Sequence, residues 1–269
     1  MDTVLFIGNS YTYYNDLPGI FSRLASENGH EIQVDAVTKG ARKLVQYQNA
    51  EDPYTEKLVA LLGEKHYSVA VLQEQSVLPL TGEKTFLNGV EYLTGMLSGK
   101  ADRILLYQTW ARKAGHETLI KNGWTVDQMA KGLRDAYRRV ADAVGASVSP
   151  AGDAFAAFLA AYPALELYDP DGTHPSYLGS ALAAVVHYAS IFGELPASLS
   201  SLALDEKTLD ALIFAAGAAL KKQGAFRIFL HRLYKGGACP HRATSLARAD
   251  LRPQSGFNPL TYCRRFVVI

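Results

Sequence analysis

The chain has 269 residues, enough for one large domain or one domain with an appendage, and enough to bury a substantial core. Its 48% hydrophobic and 20% charged residues are the ordinary balance of a soluble globular protein. No apolar run approaches the ~18 residues that span a bilayer, and no basic-then-apolar leader is present, so we expect a cytoplasmic protein without a membrane partner. The mature form of an exported protein is the alternative, because it would have the same sequence features. The two cysteines, Cys239 and Cys263, lack metal-type spacing, so the main body is expected to depend on neither disulfides nor cysteine-bound metal.

The net charge of +1 conceals an uneven distribution of charge along the chain. Residues 223–269 contain eight Lys or Arg residues and one acid, Asp250, which leaves 19 basic and 25 acidic residues in 1–222, a net charge of −6. We therefore predict a domain over residues 1–222 and a basic C-terminal extension over 223–269. A basic segment can bind phosphate or acidic lipid. We favour a poorly ordered or non-native extension instead, and predict no catalytic residue in it.

Up to about Gly193, predicted strands alternate with predicted helices. Apolar, β-branched runs indicate strands, and apolar residues spaced three to four apart indicate the helices between them. Strands that are apolar on both faces favour a parallel sheet covered on both sides. The predicted fold is a three-layer α/β/α sandwich around a five-stranded parallel sheet with the flavodoxin-like order 2-1-3-4-5. The predicted strands are Val4–Ile7, Ile32–Val37, Val69–Leu72, Ile104–Tyr107 and Ala146–Val148, and the predicted helices are Leu17–Glu27, Tyr54–Leu62, Leu87–Leu97, Val126–Val144, Asp153–Ala161, Tyr177–Phe192 and Asp205–Lys222.

A serine follows the first predicted strand, in Gly8-Asn9-Ser10. Ligands of open α/β sheets bind at the carboxyl ends of the strands, so Ser10 is a candidate nucleophile. Its hydroxyl is a poor nucleophile at neutral pH unless a base accepts its proton. The simpler alternative is that Asn9 or Ser10 only caps the following helix. The Gly-x-Ser-x-Gly elbow of the α/β-hydrolase fold is absent, which disfavours that fold.

A candidate base and acid lie far downstream, in Asp171-Gly172-Thr173-His174. Histidine suits general-base work because its ordinary pKa is near 6.5, and an acid beside it can fix the tautomer of the imidazole. One alternative is a polar turn, which Asp-Pro-Asp-Gly favours. Another is a metal site made by Asp169, Asp171 and His174. We expect no metal, because Ser180 stands where a calcium loop needs a bidentate Glu.

Candidate oxyanion donors follow the second and third predicted strands. The Ser10 N–H can point into the site, and Gly40 can bring its own backbone N–H close to a substrate. After the third strand, Gln75 or Gln73 offers a side-chain amide. Each donor of this kind contributes about 2.7–4 kcal/mol in a working site. The alternatives are an ordinary turn at Gly40 and an exposed polar loop at the glutamines.

In this order the motifs resemble those of the SGNH, or GDSL-type, hydrolase superfamily. Gly8-Asn9-Ser10 is similar to its Gly-Asp-Ser block, Gly40 matches the second-block glycine, and Asp171-Gly172-Thr173-His174 matches the final Asp-x-x-His block. The third block departs from the usual Gly-x-Asn-Asp, since the aligned residues are Gln73-Glu74-Gln75-Ser76. The chain also resembles a poorly characterised bacterial subgroup with similar Gln-Glu-Gln-Ser and Thr-Trp-Ala-Arg segments, the latter at Thr109–Arg112 here.

The resemblance implies a serine esterase that hydrolyses small acyl esters, with acetyl esters of carbohydrates as the favoured class. It implies Ser10, His174 and Asp171 as the catalytic residues and Ser10, Gly40 and Gln75 (or Gln73) as the oxyanion hole. The expected partner is a small-molecule or glycan ester, with no cofactor and no nucleic acid. The irregular third block supports a rival, a non-catalytic carbohydrate-binding module on the same fold.

The remaining histidines and aromatic residues are predicted to have structural roles. His187 lies in an apolar helix and is expected in the core, whereas His30, His66 and His116 are expected at loop or helix ends. Tyr11, Tyr13, Tyr14 and Trp110 are expected to pack in the core, although sugar rings stack well on such faces.

Overall fold

The computed structural model describes residues 1–222, so the predicted extension 223–269 and the predicted boundary before it lie outside the described residues. Within 1–222, five parallel strands form one sheet in the order β2-β1-β3-β4-β5, which confirms the predicted topology. The register pairs Val4 of the central strand with Val34 on one side and Val69 on the other. The strands are β1 (Asp2–Gly8), β2 (Ile32–Thr38), β3 (Tyr67–Leu72), β4 (Ala101–Tyr107) and β5 (Ser147–Ser149).

Helices connect successive strands, and within residues 1–222 three more α-helices come after the last strand. Several long helices are capped by the side chain of the residue just before them, as Thr125 caps Val126–Val144 in a capping box with Gln128. The helices are α1 (Ser10–Tyr13), α2 (Leu17–Glu27), α3 (Pro53–Glu64), α4 (Leu78–Thr81), α5 (Glu83–Leu97), α6 (Glu117–Asn122), α7 (Val126–Val144), α8 (Ala151–Ala161), α9 (Tyr177–Phe192) and α10 (Glu206–Lys221), with 3-10 helices at Tyr14–Asp16, Leu44–Gln48 and Ser200–Leu202.

The helices form one layer on each face of the sheet. Val4 and Phe6 of β1 pack with α2, α8, α9 and α10 on one face, whereas Leu5 and Ile7 pack with α3, α5 and α7 on the other. This alternation follows from the two-residue period of a strand, and it confirms the three-layer sandwich. None of the helices in residues 1–222 is both long enough and apolar enough to cross a bilayer.

The short helices were not predicted from the sequence. α1, α4 and α6 are one or two turns long, so they show no repeated apolar spacing. α5 begins at Glu83 rather than at the predicted Leu87, because its first turn is largely polar. Most of these short elements lie at the carboxyl edge of the sheet, where the connections leave the core.

Candidate active site

The end of β1 places Ser10 at the carboxyl edge of the sheet. β1 ends at Gly8 and α1 begins at Ser10, with a single residue between them. A Cβ atom on Gly8 would lie 2.7 Å from Oε1 of Gln73 and closer still to the hydroxyl of Thr12. Such separations are shorter than van der Waals contact, so glycine is required for the chain to turn here.

Asn9 connects the Ser10 turn to the loop after β2. Its Oδ1 accepts a hydrogen bond from the Tyr11 N–H at 3.2 Å, which caps α1. Its Nδ2 donates to the backbone carbonyl of Arg42 at 3.0 Å. An ionised aspartate cannot donate this second bond. Asn9 is therefore the residue that caps α1, and the hydroxyl of Ser10 is not used for capping.

Ser10, His174 and Asp171 form one hydrogen-bonded chain. Nε2 of His174 lies 2.8 Å from Oγ of Ser10, and Nδ1 lies 2.5 Å from Oδ2 of Asp171. The side chain of His174 is 22% exposed and that of Asp171 is 47% exposed, so solvent reaches this set of hydrogen-bonded side chains. A carboxylate can only accept, so Nδ1 carries the proton and Nε2 accepts from the serine hydroxyl.

The loop that carries His174 is shaped by Asp171 itself. Oδ1 of Asp171 accepts backbone N–H bonds from Thr173 at 2.8 Å and from His174 at 2.9 Å. Gly172 adopts a left-handed φ of +65°, and a Cβ there would lie 3.2 Å from Cβ of Lys113. Burial of the Asp171 carboxyl opposes its ionisation, but these hydrogen bonds and the His174 imidazole outweigh it and lower the pKa of Asp171.

Aromatic side chains fix the His174 ring from two sides. Tyr14 stacks on it with ring centroids 4.1 Å apart and an interplanar angle of 10°. Tyr11 meets it edge-on at 5.7 Å and itself stacks on Trp110 at 4.7 Å. Burial confirms core packing for Tyr11 and Trp110, but that prediction was wrong for Tyr13, which is 42% exposed. The region around Ser10 is therefore an aromatic wall that is partly open to solvent.

Gln73 is buried beneath the Ser10 turn. Its Oε1 accepts from the Asn9 N–H at 2.8 Å and from the Thr12 hydroxyl at 3.0 Å, while Nε2 donates to the carbonyl of Glu74. The oxygen of this carboxamide thus holds the Asn9 backbone and α1 in place, and its nitrogen holds the backbone of its own loop. Gln73 is a poorer candidate for an oxyanion donor than Gln75 for that reason.

Gln75 and Gly40 lie on the two loops where the sequence places oxyanion donors. Oε1 of Gln75 accepts the N–H groups of Val77 at 3.1 Å and Leu78 at 3.0 Å, which leaves the nitrogen as the donating end of its amide. A Cβ on Gly40 would lie 3.2 Å from the hydroxyl of Tyr13, so this glycine lies against α1. Their roles as donors stay predictions.

Two buried charged residues at this edge were not singled out from the sequence. Glu74 is fully buried, and burial raises its pKa to about 8 despite hydrogen bonds from the N–H groups of Gln75 and Leu44. Arg112 donates to the hydroxyl of Tyr11 and, at 2.8 Å, to that of Ser76, and burial lowers its pKa. The available signal was a charged residue two positions after a buried strand or a tryptophan, in Gln-Glu-Gln-Ser and Thr-Trp-Ala-Arg.

The other histidines have structural contacts. His187 is fully buried, which confirms the predicted core position. His116 caps α6 through Nδ1, which accepts the Thr118 N–H at 3.0 Å, so Nε2 donates to the hydroxyl of Thr173 at 2.9 Å. Within residues 1–222 no three His, Cys, Asp or Glu side chains are arranged to hold a metal ion.

Comparison with known proteins relates this fold to a group of hydrolases. No protein-family model matches the chain, and no curated protein matches it. A protein from Slackia heliotrinireducens, described as a candidate SGNH hydrolase, is 27% identical over 71% of this chain and 98% of its own, with a TM-score of 0.61. A DUF4886 family protein from Bacteroides uniformis is 17% identical over 82% of this chain and 95% of its own, with a TM-score of 0.71. The lipase/acylhydrolase from Enterococcus faecalis is 18% identical over 74% of this chain and 100% of its own, with a TM-score of 0.53.

The similarities agree with the resemblance seen in the sequence blocks. The sheet order, the three layers and the edge that carries Gly8-Asn9-Ser10 and Asp171-x-x-His174 occur together in this chain. In its fold and in the order of its sequence blocks, this chain is similar to the SGNH hydrolases, at 27% identity to one structure so described.

Proposed function

We propose that this protein is a serine esterase that hydrolyses small acyl esters through an acyl-serine intermediate. The observation that carries the proposal is the hydrogen-bonded chain from Oγ of Ser10 through the His174 imidazole to Asp171. A nucleophile, a base and a group that orients the base are the parts that acyl transfer from serine requires.

His174 moves the proton in both halves of the reaction. Its Nε2 accepts the hydroxyl proton as Oγ of Ser10 attacks the ester carbonyl. Its Nδ1 keeps its own proton and stays hydrogen-bonded to Asp171. The imidazolium then gives its proton to the leaving alcohol as the C–O bond breaks. A water molecule, deprotonated by the same nitrogen, attacks the acyl-serine, and proton return to Oγ releases the acid.

Three donors are proposed to hold the oxyanion: the N–H groups of Ser10 and Gly40 and the amide nitrogen of Gln75. The N–H of Ser10 lies at the start of α1, where the first helical N–H groups lack intrahelical partners. The orientation of the Gln75 amide supports its role, because its oxygen is held by Val77 and Leu78. Stabilisation of the developing negative charge is the largest single contribution in this type of catalysis.

We propose acetyl esters of carbohydrates as the substrate class. Exposure of Tyr13 beside Gly40 supports it, because an exposed phenol ring next to the nucleophile offers a stacking face to a sugar ring. The solvent access of Asp171 and His174 supports a polar leaving group over a long apolar one.

The first experiment is hydrolysis of p-nitrophenyl acetate by the wild type and by Ser10→Ala and His174→Ala. Each substitution should lower kcat at least about 1,000-fold, since the residual rate would come only from substrate binding and the oxyanion donors. Ser149→Ala is the matched control, because Ser149 also donates or accepts a 2.8 Å hydrogen bond with a histidine, His187, but inside the core. Its kcat should stay within about threefold of wild type.

The binding-module alternative predicts the opposite result. A wild type no faster than Ser10→Ala on acetate and butyrate esters would overturn the esterase proposal. Glycan binding that is unchanged in Ser10→Ala would then support the module. Labelling of Ser10 by a fluorophosphonate, read by mass spectrometry, gives a second measurement that does not depend on the choice of ester.

A further inference from the structure

Glu74 connects two loops that leave the strands on either side of β1, namely β2 and β3. One of its carboxyl oxygens accepts the N–H of Gln75 at 2.5 Å, on its own loop after β3. The same carboxyl group accepts the N–H of Leu44 at 3.2 and 3.3 Å, at the end of the loop after β2. That second loop carries Gly40, so a single side chain joins the segments that hold two of the three proposed oxyanion donors.

The surroundings of Glu74 make this contact unusual. The residue is fully buried, and among the described residues no ion pair neutralises it. The groups that face it are Lys43 from the loop after β2 and the Tyr137 phenol from α7, while Arg112 reaches only as far as Ser76. A buried carboxyl group of this kind costs free energy when it is ionised.

We propose that Glu74 is a positioning residue of the esterase site, whose carboxyl group clamps the loop carrying Gly40 to the loop carrying Gln75. This proposal rests on the proposed function for its catalytic consequence, but the clamp itself is a property of the fold. Two donors aimed at one oxyanion must be held within a fraction of an ångström, because a small displacement removes the stabilisation they give.

The protonation state of Glu74 is expected to make kcat depend on pH. With a pKa raised to about 8, the buried carboxyl group is mostly protonated at neutral pH, and its unprotonated oxygen, Oε1, accepts both N–H bonds without a full negative charge behind the oxyanion hole. Above about pH 8 it ionises. A buried negative charge next to Gln75 then opposes the negative charge that develops on the substrate oxygen, so kcat should fall.

Amide exchange measures the clamp directly, without turnover. In Glu74→Ala the Leu44 and Gln75 amides should exchange at least about tenfold faster than in the wild type, because their acceptor is gone. In Glu74→Gln they should stay within about threefold, since the amide oxygen still accepts both bonds. Glu83→Gln is the matched control, a Glu to Gln change at an exposed ion pair with Arg139 outside both loops. Equal exchange in Glu74→Ala and the wild type would overturn the clamp.

Kinetics test the catalytic consequence. Glu74→Ala should lower kcat about 100-fold with KM within about twofold, because the loss falls on the transition state. Glu74→Gln should keep kcat within about threefold at pH 6 to 7 and lose the fall above pH 8. A wild-type alkaline fall that persists unchanged in Glu74→Gln, or a kcat unchanged in Glu74→Ala, would overturn the positioning role.

These measurements separate the two proposals. If the wild type is as inactive as Ser10→Ala, the esterase proposal fails, and the clamp is decided by amide exchange alone. If Glu74→Ala does not fold, Glu74→Gln still decides the positioning role, through its alkaline kcat profile.

Discussion

Two serine–histidine pairs in this protein have the same separation but different surroundings. Ser10 and His174 lie 2.8 Å apart at the edge of the sheet, and Ser149 and His187 lie 2.8 Å apart in the buried core. His174 has Asp171 on its other nitrogen and is partly exposed. His187 is fully buried, and its second nitrogen finds no hydrogen-bond partner in residues 1–222.

The difference shows what turns such a pair into a candidate active site. Burial without a carboxylate lowers the pKa of His187 to about 3, so this imidazole stays uncharged at neutral pH and is a very weak base. Asp171 gives His174 a partner for the imidazolium, and solvent access admits a substrate. A short serine–histidine distance is therefore insufficient evidence of catalysis without the third group.

The largest predicted effect comes from making the His174 pair resemble the His187 pair. Asp171→Asn keeps the size of the side chain but removes the charge and permits the wrong imidazole tautomer. We expect kcat on p-nitrophenyl acetate to fall about 10,000-fold. A fall of less than about tenfold would mean that the carboxylate does not separate the two pairs.

A substitution at Gly8 should disturb the Ser10–His174 pair and leave the Ser149–His187 pair intact, because it moves the backbone that carries Ser10. Gly8→Ala places a Cβ 2.7 Å from Oε1 of Gln73, so the Ser10 turn must shift. We expect kcat to fall about 100-fold and stability to fall by about 1–3 kcal/mol in urea unfolding. Gly63→Ala is the control, because a Cβ at that position in α3 meets no atom within 4 Å. An active Gly8→Ala protein would show that the turn tolerates the shift.

The buried pair should be detectable in the pH dependence of stability. His187 has its pKa lowered from 6.5 to about 3, so the unfolded chain binds the extra proton and stability falls as pH falls from 6.5 toward 3. Glu74 has its pKa raised from 4.5 to about 8, so its contribution falls as pH rises from 4.5 toward 8. Each slope is about 1.4 kcal/mol per pH unit for one proton, and between pH 4.5 and 6.5 they oppose one another.

Urea unfolding of Glu74→Gln across this range isolates the histidine. The variant should become less stable as pH is lowered from 6.5 to 4.5, more steeply than the wild type. Adding His187→Asn should remove that dependence. An identical slope in the single and double variants would place the His187 pKa near its ordinary value.

The smallest predicted effect concerns the ring that covers His174. Tyr14→Leu removes a stacked phenol 4.1 Å from the imidazole while keeping an apolar side chain. We expect kcat to fall about threefold, in line with the modest energy of an aromatic pair. Tyr92→Leu, on the surface of α5, is the control and should leave kcat unchanged. A change in KM alone would indicate that Tyr14 contacts substrate instead of positioning the base.

The sequence was sufficient for the sheet because each strand carries its own apolar signal. It also indicated the candidate triad, because Ser10, Asp171 and His174 follow strands or turns in a recognisable order. The distance between Ser10 and His174 was not predictable, since 164 positions separate them and tertiary packing alone joins them. The contacts of Glu74 and Arg112 were missed for the same reason, because no local pattern reports which distant N–H or hydroxyl a buried ionisable group will meet.

The contacts of the Gln73-Glu74-Gln75-Ser76 segment also bear on how such a sequence can change over evolutionary time. Its side chains reach three different parts of the molecule: Gln73 the Ser10 turn, Glu74 the loop after β2, and Ser76 the Arg112 guanidinium after β4. A single replacement of Gln73 by glycine would leave the buried Asn9 N–H without its acceptor, at a cost of about 1–3 kcal/mol. The change to Gly-x-Asn-Asp therefore carries this cost unless another group replaces Gln73 as the acceptor. A sequence with this segment is expected to exchange Gln73 for glycine only together with a new acceptor for the Asn9 N–H.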